Sequence, residues 1–129
     1  MPILTKHQIV RITDVMMQAF GASAGHAGIV ADHLANANLA GYDSHGFIRI
    51  PWYLKFIEDG ELDPKAEPEV VGNHGAILQI DGHSTFGQVV ATRATEMGIE
   101  QARDHGVSLV SMGNLTHTGR IGTYPEMAA

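Results

Sequence analysis

The stretch Gly41–Tyr53, GYDSHGFIRIPWY, gathers a carboxylate (Asp43), a hydroxyl (Ser44), an imidazole (His45), a glycine (Gly46) and a guanidinium (Arg49) in one polar corner between two apolar segments. Its ends decide how the neighbouring chain folds. Gly41 is placed to stop a preceding helix in a left-handed conformation. Pro51 has no N–H and fits a helix only in the first turn, so a new helix starts near Phe47–Ile50, carrying Ile50, Tyr53, Leu54 and Ile57 as its apolar stripe. Upstream, Ser23 can cap a helix whose stripe is Ala27, Val30, Leu34 and Ala37, with His26, Asp32, His33 and Asn36 on other faces. Before that, Thr5 and Gln8 match a capping box opening a helix over Lys6–Phe20, with Ile9, Ile12, Met16, Ala19 and Phe20 inward and Gly21 as its stop.

Downstream, Gly60 closes the third helix, and 61–68, with two prolines and four charges, reads as an exposed extended connection. Composition changes at Glu69. Val70 and Val71, a turn at Asn73-His74-Gly75, and Ala76–Ile80 before Asp81-Gly82 suggest a β-hairpin. A helix follows over Gly87–His105 with Val90, Ala94, Met97 and Ala102 inward and Gly106 as its stop, then a buried strand over Val107–Met112. A second polar corner, Gly113–Gly122 (GNLTHTGRIG), leads into a last helix over Tyr124–Ala129. The expected fold class is α/β (α+β), with an N-terminal helical domain over 1–62 and the beginning of a sheet-containing domain over 69–129. So few alternating elements leave an incomplete sheet with an unpaired edge, which suggests the front of a longer protein.

The 129 residues are the size of one domain, and the 44% hydrophobic and 17% charged shares suit a globular chain. A formal charge of −6 with eight scattered Lys and Arg argues against a nucleic-acid partner. No cysteine is present, so disulfides, thiolate nucleophiles and Cys-based zinc sites are excluded, and a reducing, cytoplasmic location is the default expectation. No window approaches the ~18 apolar residues of a membrane span. The eight histidines show no H-x-H, H-x-x-x-H or H-E-x-x-H spacing, so no metal site is expected.

Two constellations carry chemistry. His45 has the side chain whose ordinary pKa lies nearest neutrality, suited to giving a proton to a carbonyl oxygen or taking one from a hydroxyl. A helix start at Asp43 or Ser44 would place it in a positive field that favours the neutral form. Arg49, four residues on, would share its face and can grip a carboxylate at two points. The plain alternative makes Asp43 or Ser44 an N-cap, His45 a surface residue and Arg49 a solvated charge. In the second corner, Asn114, Thr116, His117, Thr118 and Arg120 lie among Gly113, Gly119 and Gly122, which would let backbone approach a substrate or cofactor. The G-x-G-x-x-G phosphate pattern is absent, and a simple turn-rich loop is the alternative. Ser44 beside His45 makes a poor nucleophilic pair, since adjacent side chains usually diverge and no G-x-S-x-G elbow is present.

The motif D-S-H-G-x-x-R-x-P-x-Y at Asp43–Tyr53, followed in order by Asp81-Gly82, Phe86-Gly87-Gln88 and T-H-x-G at Thr116–Gly119, resembles the malate/L-lactate dehydrogenase family that lacks a Rossmann fold. The likeness spans nearly the whole chain. It implies a non-Rossmann NAD(P)-binding fold and hydride transfer between NAD or NADP and a small 2-hydroxy or 2-oxo acid, in a homodimer. By position, it makes His45 a catalytic acid/base assisted by Ser44, and His117 a second acid/base or substrate ligand. Arg49 and Thr116 would hold the substrate, and Gly119 and Arg120 would meet the cofactor. Where relatives often carry an aromatic residue after the second histidine, this chain has Thr118. The resemblance also implies that most cofactor contacts lie beyond the position of Ala129, so turnover is not expected of these residues alone. The competing expectation is a non-catalytic helical dimerisation module or a carboxylate-binding module.

Overall fold

The computed structural model describes residues 3–129. Three helices come first: α1 (Lys6–Ala19), α2 (Ala24–Leu39) and α3 (Ile50–Glu58), the last two joined by 3-10 turns at Asp43–His45 and Phe47–Arg49. Next come the strands β1 (Glu69–His74) and β2 (Ile77–Asp81), then α4 (Gly87–His105), β3 (Leu109–Gly113) and α5 (Thr123–Ala128). The sheet has the order β1-β2-β3. β1 runs antiparallel to β2, and β3 runs parallel to it after the α4 crossover. This is the expected mixed fold class, helices first and a small sheet after.

The local signals produced the local elements. Thr5 and Gln8 form the capping box of α1, Ser23 accepts the His26 N–H at 3.2 Å, and Pro51 sits in the first turn of α3. Gly21, Gly41, Gly60 and Gly106 all take positive φ at the expected stops. α2 is central: Ala27, Val30, Leu34 and Ala37 are fully buried, the first three packed with Met17, Ile50, Tyr53, Leu62, Phe86 and Val89. A second, smaller core joins Ile80, Val90 and Ala94 beneath the sheet. α4 serves both cores, its first turn in the helical one and its middle against β2 and β3.

Four expectations are corrected. The stripe of α1 is rotated, since Thr13 and Met17 are buried whereas Ile12 and Ala19 are exposed. The connection at 61–68 is not simply exposed. Leu62 is 2% accessible in the helical core, Pro64 packs near Gly21, and the Pro68 carbonyl accepts from Arg93 Nη1 at 3.0 Å. β3 is not buried: Leu109 is 58% exposed, because among the described residues β2 is the only strand paired with it and one of its faces is uncovered. His26 and His33, which fall off the apolar stripe of α2, are not thereby exposed. Both are buried, because α1 packs against one side of this helix and α4 and the second polar corner pack against another.

Candidate active site

The first corner is built on α2. Asn38 Nδ2 donates to Asp43 Oδ1 at 2.7 Å, and Asn38 Oδ1 accepts the Phe47 N–H at 2.8 Å. The side chain thus ties both 3-10 turns to the helix. Gly46 lies flat against it, where any Cβ would collide with the Asn38 amide. The remaining contacts are short-range: Ser44 Oγ lies 2.9 Å from His45 Nδ1, and Arg49 Nε donates to the Ser44 carbonyl at 2.6 Å. Ser44 and His45 therefore converge although adjacent. His45 closes a single 3-10 turn rather than opening a helix, so the expected N-terminal field does not act on it. The Arg49 guanidinium lies over Trp52, 4.7 Å from the ring centre, which leaves its terminal nitrogens unspent on any other side chain among the described residues.

The second corner is held by distant parts of the chain. The Thr116 N–H and Oγ1 both donate to the Thr85 carbonyl, at 3.2 and 3.1 Å. Gly87, at the start of α4, abuts the carbonyls of Thr116 and His117 so closely that a Cβ would overlap them. Gly119, at φ +75°, is pressed against the His33 imidazole, and His33 Nε2 accepts the Arg120 N–H at 2.8 Å. The Arg120 guanidinium reaches Glu126 through two hydrogen bonds of 2.9 and 2.5 Å and lies over Tyr42. Tyr124 donates its hydroxyl proton to the Thr118 carbonyl and stacks on His33.

The fold brings the two corners together. The His45 and His117 rings stack with centroids 5.6 Å apart. A cleft of about 90 Å³ beside them is lined by Arg49, Trp52, Tyr53, Phe56 and His117. A much larger open trough of about 630 Å³ lies between α4, β3 and α5, lined by Ala94, Gly98, Ala102, Val110 and Ile121 among others. It is mainly apolar and holds none of the clustered imidazoles; His117 lines the smaller cleft.

Electrostatics separate the imidazoles. Burial, and then the neighbouring His117, Arg120 and His45, push His33 down to about 4, so it is neutral at pH 7 and can accept from Arg120. Burial, then Arg49 and His45, also lower His117 from its ordinary value. Burial raises the Tyr53 hydroxyl to about 12 against the opposing pull of Gln88 and Arg49, so it stays protonated. Among the described residues, no group of three or more His, Cys, Asp or Glu side chains is arranged to hold a metal ion. No described helix is long and apolar enough to cross a membrane.

His45, Ser44, Arg49 and His117 meet at one place. Thr116 adjoins it with its hydroxyl engaged by Thr85, and Gly119 and Arg120 face away into contacts with His33 and Glu126. Sequence reading missed Asn38, His33, Gln88 and the Tyr53 hydroxyl. For Asn38 and His33 the signal was Gly46 and Gly119, which do admit close approach, but by these side chains of the chain itself.

Residues 4–129 match the family profile described as malate/L-lactate dehydrogenase. Hydroxycarboxylate dehydrogenase B of Escherichia coli strain K12 is 39% identical over 125 residues, an alignment covering 97% of this chain and 34% of that protein. L-sulfolactate dehydrogenase of Methanocaldococcus jannaschii is 38% identical over 117 residues, covering 91% of this chain and 34% of its own. The solved structure of sulfolactate dehydrogenase from the same organism superposes with a TM-score of 0.95 at 33% identity, over 98% of this chain and 37% of that one. The chain thus spans about a third of the length of the relatives it matches. With order, motifs and backbone in agreement over almost every residue, the chain belongs to the malate/L-lactate dehydrogenase family.

Proposed function

We propose that this chain supplies the substrate-binding and proton-transfer side of an NAD(P)-dependent dehydrogenase acting on a small 2-hydroxy or 2-oxo acid. The observation that carries the reading is the stacked pair His45 and His117 beside the Arg49 guanidinium. Arg49, already oriented by the Ser44 carbonyl and Trp52, grips the substrate carboxylate through its terminal nitrogens. The neighbouring oxygen then falls to the imidazoles. A histidine whose pKa is held below its ordinary value is neutral near pH 7, so its lone pair is available to a hydroxyl proton, and once protonated it is the stronger acid toward a carbonyl oxygen. His117 fits that role; His45, with Ser44 on its Nδ1, is the second acid/base. Thr116 shapes the backbone on which His117 sits. A bound nicotinamide cofactor supplies or accepts the hydride at the substrate carbon. Gly119 and Arg120, given to that cofactor by the resemblance, spend their contacts on His33 and Glu126, and the described residues offer no phosphate cradle there. We therefore assign this pair to holding the loop. The relatives' names, hydroxycarboxylate and sulfolactate dehydrogenase, support a small hydroxy acid as substrate. Exposed Leu39, Ile48 and Trp52 around the first corner support the homodimer, which sedimentation checks.

A module that only binds carboxylates would need Arg49 but no paired imidazoles. Titrating pyruvate or oxaloacetate while following the imidazole NMR signals of His45 and His117 tests the site directly. Saturable shifts in the wild type that vanish in Arg49→Ala are expected. Equal weak binding by both would remove Arg49 and this reading of the cleft.

A further inference from the structure

Two side chains of α2 reach the two polar corners. Asn38 holds the corner of His45 through Asp43 and the Phe47 N–H, and His33, earlier on the same helix, holds the loop that follows His117. His33 is 4% accessible and lies outside the set of residues lining the cleft. Its Nε2 accepts the Arg120 N–H at 2.8 Å, and Gly119 passes so close to the imidazole that a Cβ there would overlap Nε2. Tyr124 stacks on the His33 ring, with centroids 5.8 Å apart, and donates its hydroxyl proton to the Thr118 carbonyl. Resting on the reading of His117 as a proton carrier, we propose that His33 is a positioning residue. It fastens the backbone behind His117 to α2, so that one helix sets how the His117 ring stands against His45.

A backbone N–H can only donate, so the bond from Arg120 needs a lone pair on His33 Nε2, and the ring hydrogen of the neutral form sits on Nδ1. A proton added at Nε2 would leave the Arg120 N–H without its acceptor and set a cation among like charges. The groups that face His33 are His117 and Arg120 from the second corner, His45 from the first 3-10 turn, and the Tyr124 ring from α5, whose hydroxyl burial keeps protonated. Burial and then the first three hold His33 neutral at pH 7. On its other side His117 is already fixed, since Thr116 is bonded to the Thr85 carbonyl. Behind it, Thr118 is held by Tyr124 and the Arg120 side chain by Glu126, and both partners follow within a few residues on the same segment. Among the described residues, His33 is the hydrogen-bond partner that fastens 118–120 to the helical part. Gly119, at φ +75°, gives the backbone no stiffness of its own there. Without the acceptor on α2, the segment carrying His117 is tied at one end only. Asn38 and His33 are separated by about 7.5 Å of rise along one helix, so the two imidazoles share a rigid base.

The test reads both imidazoles by NMR in the intact chain, above pH 7 and without substrate or cofactor. In the wild type, a scalar coupling across the hydrogen bond from the Arg120 amide nitrogen to His33 Nε2 is expected, with the His33 ring hydrogen on Nδ1 and a ring-to-ring NOE between His45 and His117. His33→Leu and His33→Met remove the acceptor and keep the bulk. Each should still melt cooperatively, yet weaken that NOE several-fold and move the His117 titration midpoint up towards its ordinary value as the ring gains water. His33→Gln, whose amide oxygen can accept from Arg120, should restore both readings. A wild-type His33 with its hydrogen on Nε2 overturns the proposal with no variant needed. So does a leucine or methionine protein that melts cooperatively with NOE and midpoint unchanged, and so does a glutamine protein no better than these. Loss of cooperative melting in both apolar variants also overturns it, because His33 would then hold the whole domain rather than the loop behind one imidazole. Each of these results leaves the Arg49 titration, and so the dehydrogenase reading, standing.

Discussion

The two polar corners meet at one cleft but are held in opposite ways. The Asp43–Arg49 corner is tied by neighbours in sequence: Ser44 to His45, Arg49 to the Ser44 carbonyl, Asn38 to Asp43 and Phe47. The Thr116–Arg120 corner is tied by residues far away: Thr85, Gly87, Tyr53 and His33. A locally tied corner keeps its shape whenever the helices beside it form. A corner tied at long range keeps its shape only when the whole domain is folded, so its imidazole reports on global stability. The same chemistry is thus placed once by the local chain and once by the tertiary structure.

The sharpest break is functional. In a polypeptide extended to the relatives' length, His45→Ala and His117→Ala should each lower kcat by about 10²–10⁴-fold, the usual worth of a positioned acid or base. Stopped-flow hydride transfer retained in either variant would remove that histidine as the proton carrier. Next in size are the close approaches. Gly87→Ala forces a methyl onto the Thr116 and His117 carbonyls, and we expect a loss of about 1–3 kcal/mol by urea unfolding, as for other overpacked sites. Gly46→Ala meets the Asn38 side chain instead, which can turn aside. It should therefore cost less overall and show mainly as a local change in the first corner.

Acid separates the corners further. His33 titrates near 4 folded against about 6.5 unfolded, so the unfolded chain binds the extra proton between those values. The stability from neutral His33 is complete above pH 6.5 and is lost as pH falls through 4, at no more than about 1.4 kcal/mol per pH unit. Unfolding midpoints at pH 7.5 and 5 should show this slope, and His33→Gln, which can still accept from Arg120 but does not titrate, should flatten it. Smallest of all is Ser44→Ala. Its exposed hydroxyl touches only its neighbour, and stability should stay within about 0.5 kcal/mol. A larger loss would mean that the first corner is not locally held after all.

The same division runs through the whole chain. Sequence alone determined where helices begin and end, because a capping box at Thr5, a serine cap at Ser23, a proline in the first turn at Pro51 and left-handed glycines act within a few residues of themselves. It also determined the hairpin and the family, and it singled out His45, Arg49 and His117, which the fold brings together. Apolar spacing was a weaker guide to the inside. It misplaced the stripe of α1 and expected a buried β3, because which face is covered depends on what else the chain brings there. Only the tertiary structure decided that His33 is a neutral pin for the Arg120 backbone rather than a solvated residue. It also decided that Gly46 and Gly119 make room for the protein's own side chains, and that Gln88 reaches His117 through Tyr53. These are contacts between residues far apart along the chain, and their energies depend on burial and on distances that no local pattern encodes.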